Sequence, residues 1–279
     1  MRLFLLTALT MVAFAANSVL NRMALAGEEA GPAAFAAVRL VSGAIALAVL
    51  VWIKSGRPQL FGPGRVTGVW SLTLYILGFS FAYIWLDAGL GALILFGMVQ
   101  MTMFAGALIA REPISAARWA GAGIAMAGLA YLLWPTGTTA PPALGAILMA
   151  AAGFGWGVYS LNGRGVSDPL GATAANFILA APFTVLVVAV ITDGMSFPGF
   201  LLACLSGIVT SGLGYALWYT VLPKLAASVA AVAQLTVPVI AVAGGVALLG
   251  EAPSLRLVVA SVLVLGGVAI SVLWPSKRA

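Results

Sequence analysis

The chain has 279 residues, 63% of them hydrophobic and only 7% charged, with no His, one Cys and a mean hydropathy of +1.14. A soluble globular domain carries about 25% charged residues, so this composition excludes one and describes an integral membrane protein. The net charge of +6 does not mark a nucleic-acid partner, because the Lys and Arg residues stand singly in short loops and form no basic face.

Apolar runs of about 20 residues, the length a helix rising 1.5 Å per residue needs to cross a bilayer, occur ten times. The predicted spans are roughly 3–23, 33–53, 67–87, 90–110, 118–134, 143–162, 169–191, 199–221, 226–248 and 255–274. The runs are continuous rather than alternating, which excludes a transmembrane barrel. The expected fold class is therefore an all-α integral membrane protein of ten transmembrane helices.

In the first span, Arg2, the run Leu3–Val12 and the small residues around Ala13-Phe14-Ala15 imitate a cleavable signal peptide. Phe14-Ala15-Ala16-Asn17 has a counterpart, Phe154-Gly155-Trp156-Gly157, 140 positions later. The span is accordingly expected to be retained as part of a repeat. It also carries Asn17 and Asn21, polar residues that are costly in a membrane.

The second span holds Arg39, the only basic residue well inside a predicted helix, about 9 Å from its outer end by helical rise. Three roles fit it: snorkelling to the headgroups, pairing with Asp87, or attracting a carboxylate. The third span presents Tyr75, Gly78, Ala82 and Trp85 along one stripe, with Tyr83 beside it, and the fourth offers Gln100. The sixth adds Trp156 and Tyr159. In the eighth, Ser211, Tyr215 and Trp218 stand at i, i+4 and i+7 on one helical face, matched to the third by aligning Trp85 with Trp218. The ninth contributes Gln234. The lone Cys204 in the eighth span reads as a buried thiol.

These aromatics and amides admit two readings. They pack helices and bond across them, or they line a pocket of aromatic faces with a few neutral hydrogen-bonding groups, which suits a partly apolar small molecule. The substrate-binding candidates are Asn17, Tyr83, Gln100, Trp156, Tyr159, Ser211, Tyr215, Trp218 and Gln234.

A longer repeat frames these residues. Glu112-Pro113 leads to Leu133-Trp134-Pro135, and Glu251-Ala252-Pro253 leads to Leu273-Trp274-Pro275, with Trp following Pro by 21 positions in both copies. Pro in a helical first turn, with a carboxylate beside it, suits a helix start. Glu112 and Glu251 thus read as helix-start devices, a gating role being the other reading, and Trp52, Trp134 and Trp274 as interface anchors. The repeat divides the chain into halves at 1–137 and 143–279.

Five spans per half is an odd number, so the second half is expected to enter the membrane from the opposite side. The basic residues agree. With the N-terminus inside, Arg2, Lys54, Arg57, Arg65, Arg111, Arg118, Arg164, Lys224, Lys277 and Arg278 are cytoplasmic, and only Arg22 and Arg256 lie outside. Both termini are expected in the cytoplasm.

Enzyme chemistry lacks raw material: no His for a Ser-His or Cys-His pair, no metal-ligand cluster, and no phosphate-binding GxxxxGK[ST] loop. No cofactor is expected. No acidic residue falls at mid-membrane, so the carboxylate relay typical of proton-driven pumps is missing.

Ten spans in a five-plus-five repeat, with Glu-Pro opening and Leu-Trp-Pro closing the last helix of each half, resemble the drug/metabolite transporter superfamily with its two EamA repeats. Within it the chain is most similar to the YddG-type aromatic amino-acid exporters, in its short loops and its aromatic third and eighth spans. The resemblance implies a basket in which spans 1, 3, 4, 6, 8 and 9 surround a central cavity and spans 2, 5, 7 and 10 form an outer layer. It therefore demotes Arg39, and the absence of basic residues facing the cavity argues against anionic sugar donors. The expected function is export of neutral amino acids, aromatic ones included, across the inner membrane by alternating access, with the lipid bilayer and a small-molecule substrate as partners. Efflux of hydrophobic drugs or organic cations is the second reading, and a membrane receptor or scaffold the third.

Overall fold

The structure, a computed structural model, describes residues 2–111, 115–134, 141–163, 166–225, 233–234 and 236–273. Glu112, Pro113, Pro135, Arg164, Trp274, Pro275, Lys277 and Arg278, used above for the repeat and the orientation, lie outside the described residues. Within them the chain is helical, with no strand beyond one bridge between Ala30 and Met195.

The helices are α1 (Arg2–Ala26), α2 (Pro32–Ser55), α3 (Arg65–Ala82), α4 (Ala88–Ile109), α5 (Ala116–Leu133), α6 (Ala143–Gly163) and α7 (Pro169–Val190). They are followed by α8 (Phe197–Val221), α9 (Thr236–Leu249) and α10 (Leu255–Leu273). Six of these, α1, α2, α4, α6, α7 and α8, are long and apolar enough to cross a membrane. Their most apolar windows are only 39–56% buried. Large apolar side chains such as Ile109, Val190 and Ile53 point outward, a surface suited to lipid and not to water.

Local sequence explains where helices begin. Pro32 and Pro169 occupy first turns, where a missing N–H costs nothing. Ser196 caps α8 by accepting from the Gly199 N–H at 3.1 Å. The third span was expected to reach residue 87, but α3 ends at Ala82. The chain then turns through 83–87, and the Tyr83 carbonyl accepts from Arg22 Nη1 at 3.0 Å.

Two further caps come from far along the chain. Both Asp193 carboxylate oxygens accept from the start of α2, from Ala33 N at 2.8 Å and Ala34 N at 2.9 Å. Gly31 leaves the space this needs, since a Cβ there would overlap Asp193. Glu251 does not start its own helix as expected; Ser254 caps α10, accepting from Leu257 N at 3.1 Å. Glu251 instead caps α4, with each carboxylate oxygen 3.0 Å from Ala88 N, and faces Arg22 Nε at 3.4 Å. Arg22 also reaches Asp87 at 3.4 Å. Acids from the second half thus close helix ends in the first.

The packing is equally interleaved. Helix α2 lies along α7, α3 along α6, α4 against α6 and α9, α1 against α9 and the middle of α8, and α5 along α10. The main core cluster runs through all of these contacts.

Burial pushes the Glu251 carboxyl above its ordinary value, and the opposing pull of the Ala88 N–H and Arg22 is smaller. A folded value that is raised makes the stability from this group greatest at low pH, declining as pH rises through that value. A neutral mimic should therefore be tolerated. Glu251→Ala, which deletes the cap, is expected to cost about 1–2 kcal/mol, and Glu251→Gln less than half as much, as read by thermal unfolding in detergent.

Candidate functional site

An aromatic cluster fills the middle of the bundle. Trp156 of α6 lies at its centre, with ring centroids 4.6 Å from Tyr215, 5.0 Å from Tyr75, and 5.6 Å from both Phe14 and Tyr159. Phe14 sits edge-on to Tyr215 and Trp218 at 5.7 and 5.8 Å. All but the stacked Trp156–Tyr159 pair are tilted or edge contacts, and offset stacks and edges are what aromatic quadrupoles favour.

A small cavity opens between these rings. Its walls are Phe14 and Asn17 of α1, Tyr75 and Phe79 of α3, Leu95 and Phe96 of α4, Trp156 of α6 and Tyr215 of α8. The free space within it holds about one water. Admitting anything as large as an amino acid requires the walls to part.

One wall owes its shape to the π-helical stretch Ser206–Leu213 in α8. Wider turns of this kind disturb the regular backbone ladder and recur at functional positions. Asn17 clamps this one. Its Oδ1 accepts from Ser206 Oγ at 2.8 Å, from Ser211 Oγ at 3.2 Å and from Thr210 Oγ1, while its Nδ2 donates to the Thr210 carbonyl at 3.2 Å.

Behind the rings lies Arg39. Its side chain is fully buried, at 0% exposure. Nε donates to Ser211 Oγ at 2.9 Å, and Nη2 donates to the hydroxyls of Tyr75 at 3.1 Å and Tyr215 at 2.9 Å. The guanidinium carbon stands 4.9 Å from the Phe79 ring centroid, and the Tyr215 hydroxyl donates to that of Tyr75 at 2.9 Å. Arg39 reaches this position because α2 and α8 nearly touch at Gly43 and Gly207, where a Cβ on Gly207 would overlap the Arg39 carbonyl. Snorkelling and pairing with Asp87 are both overturned, as is the demotion to an outer layer. Asp87 pairs with Arg22 instead.

No carboxylate is among the partners of Arg39. Every described Asp and Glu stands outside the helices, at their ends or in the loops between them. An Arg at the centre of a membrane helix costs about 2.5–3.5 kcal/mol on insertion scales. Neutral hydroxyls and a ring face offset part of that, but none of them carries the compensating charge. Nη1 has no hydrogen-bond partner, nor do the buried Nε1 atoms of Trp156 and Trp218.

Of the nine candidates from sequence, Asn17, Trp156 and Tyr215 line the cavity, and Ser211 supports it through Asn17 and Arg39. Trp218 is one ring away. Tyr159 lies beyond Trp156, accepting from Asn176 Nδ2 at 3.4 Å, and its carbonyl accepts from the Tyr219 hydroxyl at 3.2 Å. Tyr83 sits edge-on to Phe79 at 4.8 Å, but its hydroxyl turns to the Ala88 carbonyl at 3.3 Å. Gln100 and Gln234 each bury one amide atom without a partner, Nε2 and Oε1 respectively, and neither lines the cavity. Trp85, taken as the counterpart of Trp218, is 39% exposed.

Sequence reasoning missed Tyr75 as the partner of Tyr215, and with it the register. Ser71 and Tyr75 recur as Ser211 and Tyr215 at an offset of 140, the same offset that relates Trp134 to Trp274. That signal was legible and points to the two hydroxyls that meet. Phe79 and Phe96 carried no signal distinguishing them from lipid-facing phenylalanines.

The family model of the EamA-like transporters matches residues 1–134 and again 143–273. The chain therefore belongs to the EamA-like transporter family, within the drug/metabolite transporter superfamily, and contains two of its repeats. It is a multi-pass membrane transporter. It is 45% identical over 271 residues to the uncharacterized protein PA1977 of Pseudomonas aeruginosa, covering 96% of this chain and 94% of that one. A solved crystal structure with 21% identity shares the fold, with a TM-score of 0.69 over 95% of this chain and 97% of that chain.

Removing the Asn17 side chain would leave Ser206, Thr210 and Ser211 competing for backbone acceptors. Asn17→Ala is expected to destabilise the protein by about 1–3 kcal/mol, the cost of buried polar groups losing a partner, measured as a lower unfolding midpoint in detergent. Asn17→Asp, which keeps the acceptor, should lose less.

Proposed function

We propose that the protein exports neutral amino acids, aromatic ones included, across the inner membrane by alternating access around the aromatic cavity. In this reading ten helices form two inverted halves, 1–137 and 143–279, with both termini in the cytoplasm. The pocket is built from Asn17, Trp156, Ser211, Tyr215 and Trp218, with Tyr83, Tyr159, Gln100 and Gln234 on its approaches. The observation that carries the reading is the aromatic lining of Phe14, Tyr75, Phe79, Phe96, Trp156 and Tyr215, drawn from both halves. Aromatic faces bind aromatic and aliphatic side chains alike.

The cavity walls come from α1, α3 and α4 of the first repeat and α6 and α8 of the second. A relative tilt of the halves would part Phe14 and Tyr75 from Trp156 and Tyr215 and open the space to one face at a time. The Arg22, Asp87 and Glu251 cluster is suited to closing one such face. The absence of acids within the described helices supports downhill transport driven by the substrate gradient. A fixed guanidinium one hydroxyl behind the cavity wall repels organic cations, which weighs against the cation-efflux alternative.

Counterflow in proteoliposomes tests this. Labelled phenylalanine and tryptophan are expected to exchange, methyl viologen is not, and a protonophore should leave amino-acid exchange unchanged. Exchange of methyl viologen alone, or of none of the three, would sink the proposal, and collapse under the protonophore would refute downhill transport. Trp156→Ala should lower tryptophan exchange roughly tenfold while sparing threonine, since aromatic pairs contribute about 0.5–1.5 kcal/mol beyond area burial; equal loss for both substrates would return Trp156 to a packing role.

A further inference from the structure

Export of amino acids through this cavity leaves open which group on the protein meets the charged end of the substrate. Resting on that reading, we infer that Arg39 is the receptor for the substrate's carboxylate and that the protein selects monocarboxylates over the corresponding amides.

Three observations converge on this assignment. Arg39 is fully buried, and every side chain it bonds is a neutral hydroxyl. A guanidinium presents a planar fork of N–H groups matched to a carboxylate, and Nη1 of this fork is unpartnered. The two tyrosines that hold Nη2 are themselves cavity walls, so the guanidinium lies one hydroxyl from the space a substrate enters. Any parting of Tyr75 from Tyr215 breaks their mutual bond and changes the contacts of Arg39.

The surrounding donors point the same way. Trp156 and Trp218 each bury an indole N–H without a partner beside the same cluster. With Arg39 Nη1 they are three donors without partners in and around the aromatic cluster, which suits an acceptor-rich anion. The charge count sets the class. Arg22, Arg65 and Arg256 are engaged at helix ends, Arg22 with Glu251 and Asp87, Arg65 with the Ala172 carbonyl and Asn176 Oδ1, and Arg256 with the Tyr131 and Trp134 carbonyls. Among the described residues the single cation beside the cavity, Arg39, balances one negative charge, so a carboxylate fits where a phosphate dianion would bring charge left uncompensated.

The test is titration of the full-length protein in nanodiscs with two matched pairs: phenylalanine against phenylalaninamide, and 3-phenylpropionate against 3-phenylpropanamide. Each carboxylate is expected to bind at least tenfold tighter than its amide. A hundredfold excess of chloride should not abolish that preference. Equal affinity within either pair, displacement by chloride alone, or failure of all four compounds to bind would overturn the assignment. Arg39→Gln should bring the ratios within twofold while Arg39→Lys keeps part of the preference; if neither variant folds, the wild-type ratios decide. Tight, carboxylate-selective binding without amino-acid flux in proteoliposomes would defeat the export reading and leave the role of Arg39 standing.

Discussion

A guanidinium held in the middle of an apolar bundle is the constraint around which this molecule is arranged. Arg39 cannot reach water, so its donors must be met from within. The groups that meet them come from α3 and α8, one helix in each half of the chain. Satisfying one side chain of α2 therefore fixes the separation and rotation of three helices. The close approach of α2 and α8 at Gly43 and Gly207 is the packing counterpart of that requirement. The π stretch of α8 belongs to the same problem. It sets Ser206, Thr210 and Ser211 around Asn17, and Ser211 then faces both Asn17 and Arg39.

Polar groups at the bundle's ends repeat the logic with other residues. Asp193 and Glu251 sit in loops of the second half and cap helices of the first. A cap supplied by a distant loop makes a helix end conditional on the packing of another element, whereas a neighbouring Ser or Thr would make it autonomous. Where two halves must move against each other, such caps are natural places for contacts that form in one arrangement and break in another. The centre and the ends are thus joined by the same helices. Helix α1 carries Phe14 and Asn17 at the cavity and Arg22 at the Glu251 cluster; α4 carries Leu95 and Phe96 at the cavity, and its first N–H is the group Glu251 caps.

How much of this the sequence disclosed follows from the range of the forces involved. Helix positions were legible because burial in lipid is decided run by run: α2, α6, α7 and α10 begin within two residues of their expected starts. Asn17, Ser211, Tyr215 and Trp156 were legible as candidates because polar and indole groups are costly in a membrane and so rarely incidental. Glu251 was misread because Glu near Pro matches a local helix-start pattern, while its true partner, the Ala88 N–H, is 163 positions away. Trp85 and Trp218 were aligned on residue type alone, yet one faces outward and the other is buried. Chemistry at a membrane interface and chemistry in a cavity use the same side chain, and spacing does not separate them.

Arg39 is the instructive failure. Its depth in the span and its long aliphatic stem fit snorkelling, and the family template assigned its helix to an outer layer. Both arguments treat the helix as the unit that faces inward or outward. A side chain as long as arginine breaks that equivalence. From α2 it passes α8 at the glycine contact and delivers its charge to tyrosines that belong to the cavity. The offset of 140 that relates Tyr75 to Tyr215 has no counterpart for Arg39, whose position 140 residues on is Leu179. Two nearly symmetric walls are therefore served by one asymmetric charge. On the reading proposed above, an asymmetric charge between related halves would give a bound substrate a preferred direction, with its charged end toward α2 and its side chain among the rings. On the same reading, that orientation would persist if the halves exchange roles on the two faces of the membrane.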